Sequence, residues 1–143
     1  MIELLNKHWS WLGFSEATEI IRENDFGNVI FRTFNNHFWR ICPEEITGEK
    51  IAESEEELEK LLKTKDFIED FEMTNFTQRA IRHLGNLKTG DKFCLKIAGP
   101  LGGEYNEDNI GTVSTTELIS LSGDLAFMFK DALNDDEFEI IVE

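Results

Sequence analysis

Two cysteines and three histidines are the side chains of this chain that could carry nucleophilic chemistry. A thiol at its ordinary pKa is mostly protonated near neutral pH, so Cys42 or Cys94 would need a histidine, His8, His37 or His83, as its base. No catalytic signature surrounds either cysteine, and both fall in or beside strand-like segments. Because free cysteine is among the most buried residue types, we expect two buried free thiols and no enzyme activity.

The loop Gly103–Glu117 is the second place where chemistry could reside. It contains a stretch with the length of a calcium loop, in which Asp108 is third, Gly111 sixth and Glu117 twelfth. The match is incomplete, because Ile110 stands where an oxygen ligand is needed and Glu117 equally fits a helix cap. A small-ligand or calcium-binding regulatory module on this loop is the alternative function.

Other cofactor signals are weak. The segment GPLGGE lacks the Lys-Ser/Thr ending of a phosphate-binding P-loop and predicts a structural turn. The chain contains neither CxxC nor HExxH, the spacings typical of zinc sites. We therefore expect no cofactor and no metal.

Acidic side chains dominate the charge of the chain. Its 29 Asp and Glu against 14 Lys and Arg give a formal net charge of −15. Such a charge repels phosphate backbones and anionic lipid headgroups, so we expect no direct binding to nucleic acid or membrane. Acidic runs usually form solvated surfaces, but they also complement the basic groove of a nuclease. A basic protein is the partner that the charge favours.

The first half of the chain predicts helices and then a hairpin. Leu4, Leu5, Trp9 and Leu12 recur at helical spacing, and we expect one or two short helices before residue 25. Two runs of β-branched and aromatic residues follow, 29–34 and 38–42, separated by two asparagines that tolerate a tight turn. The spacing predicts a β-hairpin that ends at Pro43, with Trp39 in the core.

A block of helices comes next. Ser54 with Glu57, and Asp66 with Glu69, have the spacing by which side chains cap helix N-termini. A third helix is predicted to end at Gly85. The apolar residues expected to face the core are Leu58, Leu61, Leu62, Phe67, Ile68, Phe71, Phe76, Ala80, Ile81 and Leu84.

The last third predicts a strand, a long helix and a final strand. The strands are expected over 92–97 and 138–142, where apolar residues alternate. The long helix should bury one stripe made of Leu118, Leu121, Leu125, Met128 and Phe129. Gly123 within it suggests that another backbone packs closely there. The fold class is α+β: a sheet of at least four strands, partly antiparallel, with four to six helices in a single domain.

Several spaced blocks of this sequence resemble one protein family. They are DFGNVIF, FWRICPEEI, IAES, FIEDFEM, KFCLKIAGPLGGEYNEDNIGT and STTELISLSGDLAFMFKD. Together they are similar to the C-terminal domain of the immunity proteins that protect bacteria from their own type VI secretion DNase effectors. The resemblance covers roughly residues 25–143, and residues 1–24 are expected to form a short helical segment packed on that domain.

The resemblance implies a protein that binds a cognate antibacterial effector, most simply a nuclease, and neutralises it by occluding its active site. It implies no catalytic residues. The chain begins without a basic and apolar leader, so we expect a cytoplasmic protein. The partner-contacting residues are expected where acids accompany an aromatic ring or a flexible loop: Glu69, Asp70, Glu72, Glu104, Tyr105, Glu107 and Asp108.

Overall fold

A computed structural model describes residues 1–133. It contains helices α1 (Ile2–His8), α2 (Glu55–Leu62), α3 (Lys65–Glu72), α4 (Thr74–Leu84) and α5 (Thr115–Leu133). The strands are β1 (Ala17–Glu23), β2 (Val29–Thr33), β3 (Phe38–Cys42), β4 (Thr47–Ala52), β5 (Asp91–Leu95) and β6 (Ile110–Ser114). Four short 3₁₀ turns lie at Ser10–Leu12, Pro43–Glu45, Gly99–Leu101 and Glu107–Asn109.

The strands form two antiparallel sheets. β1 to β4 form one sheet in chain order, and β5 pairs with β6 in the other. The predicted hairpin is confirmed, since β2 and β3 pair around a turn in which Asn36 has a φ of 61°. The α+β class is therefore confirmed.

Strand β2 is buried on both faces of the larger sheet. Because side chains alternate along a strand, Val29 and Phe31 face a core formed with α1 and α5, and Ile30 faces a core formed with α2 and α3. A third core of phenylalanines joins α4 to β5 and β6 through Phe26 and Phe93, which stand 5.7 Å apart between ring centres. This double burial explains the unbroken apolar run 29–31 at the start of β2.

Some local predictions were wrong. Helix α1 confirms a short helix before residue 25, but the segment Ala17–Glu23 is strand β1. That strand was not predicted, because its outer position in the sheet leaves most of it exposed and its sequence without a clear apolar alternation. Strands β4 and β6 were not predicted, since both carry glycine and polar residues. Helix α3 begins after Thr64 without a side-chain cap, so Asp66 is not its cap. The Ser54 cap is confirmed, because its hydroxyl accepts from Glu57 N at 3.1 Å.

The buried tryptophan is Trp9, whereas Trp39 lies partly exposed at the margin of the core. Helix α5 also faces differently from the prediction. Its buried positions are Ile119, Ser122, Gly123 and Ala126, and the predicted core residues Leu121 and Met128 are 62% and 74% exposed. The predicted strand over 138–142 lies outside the described residues.

Candidate functional site

The acids predicted on α3 lie at its junction with α4. Met73 links the two helices in the left-handed conformation, with φ of 49°, and this turns the chain sharply between them. Seven residues line one cleft at this corner, and the three acids among them are exposed: Glu69, Asp70, Glu72, Met73, Thr74, Asn75 and Phe76. The predicted acids of α3 therefore share one accessible corner.

The second predicted group lies on the loop between β5 and β6, which Asn109 holds together. Its Oδ1 accepts from Ile97 N at 2.9 Å, and its Nδ2 donates to the carbonyl oxygens of Ile97 and Glu104 at 2.9 and 3.0 Å. At Gly103 the chain passes so close to the Ile97 carbonyl that no side chain fits. These contacts give Glu104 and Tyr105 a fixed backbone.

Helix α4 joins the two groups. The Phe76 ring lines the cleft of the α3 acids and also stands 5.2 Å from the Tyr105 ring, centre to centre. One turn along the helix, Arg79 donates from Nε and Nη2 to both carboxylate oxygens of Glu107, at 2.7 and 3.1 Å. We call the seven predicted residues the acidic face: Glu69, Asp70, Glu72, Glu104, Tyr105, Glu107 and Asp108.

Several members of the acidic face already have partners within the chain. Asp70 Oδ2 is 2.7 Å from Arg40 Nη1, and the Tyr105 hydroxyl donates to Glu45 Oε1 at 2.6 Å. The bond to Arg79 lowers the pKa of the partly exposed Glu107 to about 2, so its carboxyl group is ionised at neutral pH. Within residues 1–133, Glu72, Glu104 and Asp108 make no ion pair, and these carry the uncompensated charge of the face.

A buried polar network lies beneath α3, and sequence reasoning missed it. Arg40 on β3 donates from Nη2 to Asn28 Oδ1 at 2.8 Å, and Asn28 Nδ2 donates to both carboxylate oxygens of Glu44 at 2.8 Å. The guanidinium also lies over the Phe67 and Phe71 rings, 5.7 and 5.2 Å from their centres. The available signal was an arginine at an inward position of the strand FWRIC.

The two thiols show no activation within the described residues. Both cysteines are free and partly buried. Burial raises the pKa of Cys42 to about 12, and it also raises the pKa of Cys94. A thiol whose pKa is raised is protonated at neutral pH and is a poor nucleophile.

The stretch proposed as a calcium loop does not fold as one loop. It consists of the 3₁₀ turn Glu107–Asn109, strand β6 and the first turn of α5, which separates Asp108 from Glu117. The Ser114 side chain caps α5, since its Oγ accepts from the Glu117 backbone N at 3.2 Å. Over residues 1–133, no three His, Cys, Asp or Glu side chains come together as metal ligands. In the same residues, no helix is long and apolar enough to cross a bilayer.

Comparisons with known proteins identify the class to which this chain belongs. A sequence model described as "T6SS immunity protein Tdi1, C-terminal" matches residues 52–126, which is more than half of the chain. The chain therefore belongs to this family of type VI secretion immunity proteins, and the resemblance stated from the sequence is confirmed. The matched segment begins at the end of β4 and contains every member of the acidic face.

A solved structure is also similar to this chain. The crystal structure of Atu4351 from Agrobacterium tumefaciens aligns with a TM-score of 0.49 and 16% sequence identity. The alignment covers 70% of this chain and 51% of Atu4351, so the matched part spans about half the length of that protein. No curated protein sequence matches the chain.

Proposed function

We propose that this protein is the cytoplasmic immunity protein of an antibacterial nuclease effector, and that it neutralises the effector by covering its basic, DNA-binding groove. It acts by binding alone and carries no catalytic residues. The family of the chain supports an effector as the partner. That the effector is a nuclease, and that it is inhibited by covering its groove, are what we propose beyond the family.

One observation carries the mode of inhibition. The acids of α3 line a cleft together with Phe76, and the Phe76 ring stands beside Tyr105 of the acidic 104–108 loop. Strong protein interfaces place aromatic residues at the centre and charged residues at the rim, where complementary charge speeds association. Within residues 1–133, Glu72, Glu104 and Asp108 have no cationic partner, so their carboxylates are available to meet the lysines and arginines of a DNA-binding groove.

The functional test uses the product of the gene next to the one that encodes this protein as the candidate effector. Co-expression should rescue growth from that effector, and the purified effector should lose DNA cleavage when one equivalent of this protein is added. Binding without turnover predicts that inhibition saturates at a fixed stoichiometry. If the protein inhibits at far below one equivalent, it acts catalytically, and the proposed mechanism is wrong.

The acidic face is tested with two triple variants of equal charge change. E72Q/E104Q/D108N removes the three unpaired carboxylates, and we expect it to slow association about tenfold or more at low salt. The control set consists of three exposed acids on β4 and α2, and its variant is E49Q/E56Q/E59Q. If only the overall charge of the protein matters, its loss would slow association equally in both variants. That result would show that the acidic face is not the binding surface.

A further inference from the structure

Glu44 and Glu45, neighbours in the 3₁₀ turn Pro43–Glu45, each connect to a different half of the acidic face. The α3 half consists of Glu69, Asp70 and Glu72, and the loop half of Glu104, Tyr105, Glu107 and Asp108. Glu44 points into the protein and is 6% exposed, and Glu45 points toward the 104–108 loop. Neither residue belongs to the acidic face. Their adjacency means that one turn of chain contacts both groups of the acids that the proposed function uses.

Glu45 holds the loop half of the face. Its Oε1 accepts the hydrogen bond of the Tyr105 hydroxyl at 2.6 Å. Its carboxylate also lies against Gly99, so closely that a side chain at Gly99 would overlap it. Glu45 therefore contacts both the start and the end of the segment 99–105, which carries Tyr105 beside Phe76.

Glu44 holds the α3 half through two intermediates. Its carboxylate accepts from Asn28 Nδ2, Asn28 Oδ1 accepts from Arg40, and Arg40 donates to Asp70 on α3. The heavy-atom distances of this chain of bonds lie between 2.7 and 2.8 Å. Asn28, Arg40 and Glu44 are buried, and a buried hydrogen-bond network is rigid when each member is satisfied.

The turn that carries both glutamates is itself fixed. Pro43 and Ile46 are buried, and Ile46 N donates to the Pro43 carbonyl oxygen at 3.0 Å. Ile46 has a φ of 45°, which a β-branched residue adopts only where its surroundings enforce it. The two carboxylates therefore extend from a rigid base.

We propose that Glu44 and Glu45 are positioning residues of the effector-binding face, which set α3 and the 104–108 loop in their binding arrangement before the effector arrives. The inference rests on the proposed function for its biological meaning. Ordering a loop in advance removes an entropic cost that would otherwise oppose binding. Loss of either contact should therefore weaken effector binding even though neither glutamate lies on the acidic face.

The first experiment measures amide hydrogen exchange in the free protein and needs no effector. In E45A, we expect faster exchange over residues 104–109 and unchanged exchange over 65–72. In E44Q, we expect the reverse, and R40K supplies the same test of the α3 half if E44Q fails to fold. E49Q, an exposed acid on β4, is the matched control. Equal loosening of both segments in E44Q and E45A, or of neither, would overturn the proposal.

The second experiment is a double-mutant cycle on effector affinity. E45A should raise the Kd about tenfold. The Y105F variant already lacks the hydroxyl group. If Glu45 acts through Tyr105, adding E45A to Y105F should raise the Kd by less than about twofold. G99A should mimic E45A, because its methyl group displaces the Glu45 carboxylate without changing its charge.

The outcomes separate the two proposals. If the wild-type protein neither binds nor protects against the effector, the proposed function is wrong, and the exchange pattern still decides whether the two glutamates order the two segments. If the wild type binds and E45A binds equally well, or its effect is unchanged in Y105F, the positioning role is wrong and the proposed function stands.

Discussion

Gly123 of α5 lies against the backbone of α1, so that a methyl carbon on Gly123 would come within 2.6 Å of the His8 carbonyl oxygen. The same carbon would lie 2.8 Å from Trp9 Nε1, which donates to the Ile119 carbonyl at 3.0 Å. Trp11 Nε1 donates to Gly123 O at 3.2 Å. The absence of a side chain at this position is what lets α1 pack on α5.

Replacement of Gly123 by alanine should therefore destabilise the protein although alanine favours helices. We expect a loss of about 1 to 3 kcal/mol in the free energy of unfolding, since overpacking forces the two backbones apart. Urea denaturation followed by tryptophan fluorescence measures it. G111A is the control, because a methyl group there makes only ordinary contacts, at 3.6 Å or more. A G123A protein as stable as G111A would contradict the close approach.

The packing role of Gly123 could be predicted because a glycine inside a helix is locally unfavourable and needs a reason in tertiary structure. The buried side of the same helix could not. Leu118, Leu121, Leu125 and Met128 make a longer apolar stripe than the residues that are actually buried. Periodicity registers side-chain hydrophobicity, whereas close approach of α1 selects the small residues Ser122, Gly123 and Ala126.

This correction can be tested by two substitutions on α5. Ile119 is fully buried, and I119A should reduce the free energy of unfolding by about 2 to 5 kcal/mol through lost burial and the cavity left behind. Met128 is 74% exposed, and M128E should change it by less than about 0.5 kcal/mol. Chemical denaturation of both variants measures the difference. A large loss of unfolding free energy in M128E would show that Met128 is buried, as the sequence predicted.

The candidate site also has a part that could be predicted from the sequence and a part that could not. Acidic residues beside an aromatic residue in a loop are visible in the sequence, and they do lie around one helix. The network of Asn28, Arg40 and Glu44 is not visible in the sequence. Its members lie just before β2, within β3 and in the turn after β3, and only the pairing of β2 with β3 brings them together. Long-range pairing of polar groups leaves no local periodic signal.

Glu44 gives the stability of the protein a defined dependence on pH. Burial raises its pKa from an ordinary 4.5 to about 7, and the hydrogen bonds from Asn28 and the charge of Arg40 only partly oppose this. The folded state thus binds a proton more tightly than the unfolded state, so the contribution of Glu44 to stability falls as pH rises from about 4.5 to 7. The upper limit of that fall is about 3 kcal/mol.

The variant E44Q lacks this titration, and the difference in stability between it and the wild type isolates the effect from other groups. We expect the difference to move in favour of E44Q as pH rises from 5 to 8, with most of the change complete near pH 7. Urea midpoints across that range measure it. A difference that is flat with pH, or that moves toward the wild type, would show that Glu44 is ionised in the folded protein well below pH 7.

Arg79 is predicted to control the ionisation of Glu107 on the acidic face. Its two hydrogen bonds are the main cause of the low pKa of about 2, so R79Q should return the pKa of Glu107 toward its ordinary range near 4.5. Carboxyl-carbon NMR during an acid titration measures the change residue by residue. R82Q removes an equal charge from the same helix at an exposed position and should leave the titration of Glu107 almost unchanged. If R82Q raises the pKa as much as R79Q, general charge governs Glu107, and the bidentate contact does not fix this carboxylate in place for a partner.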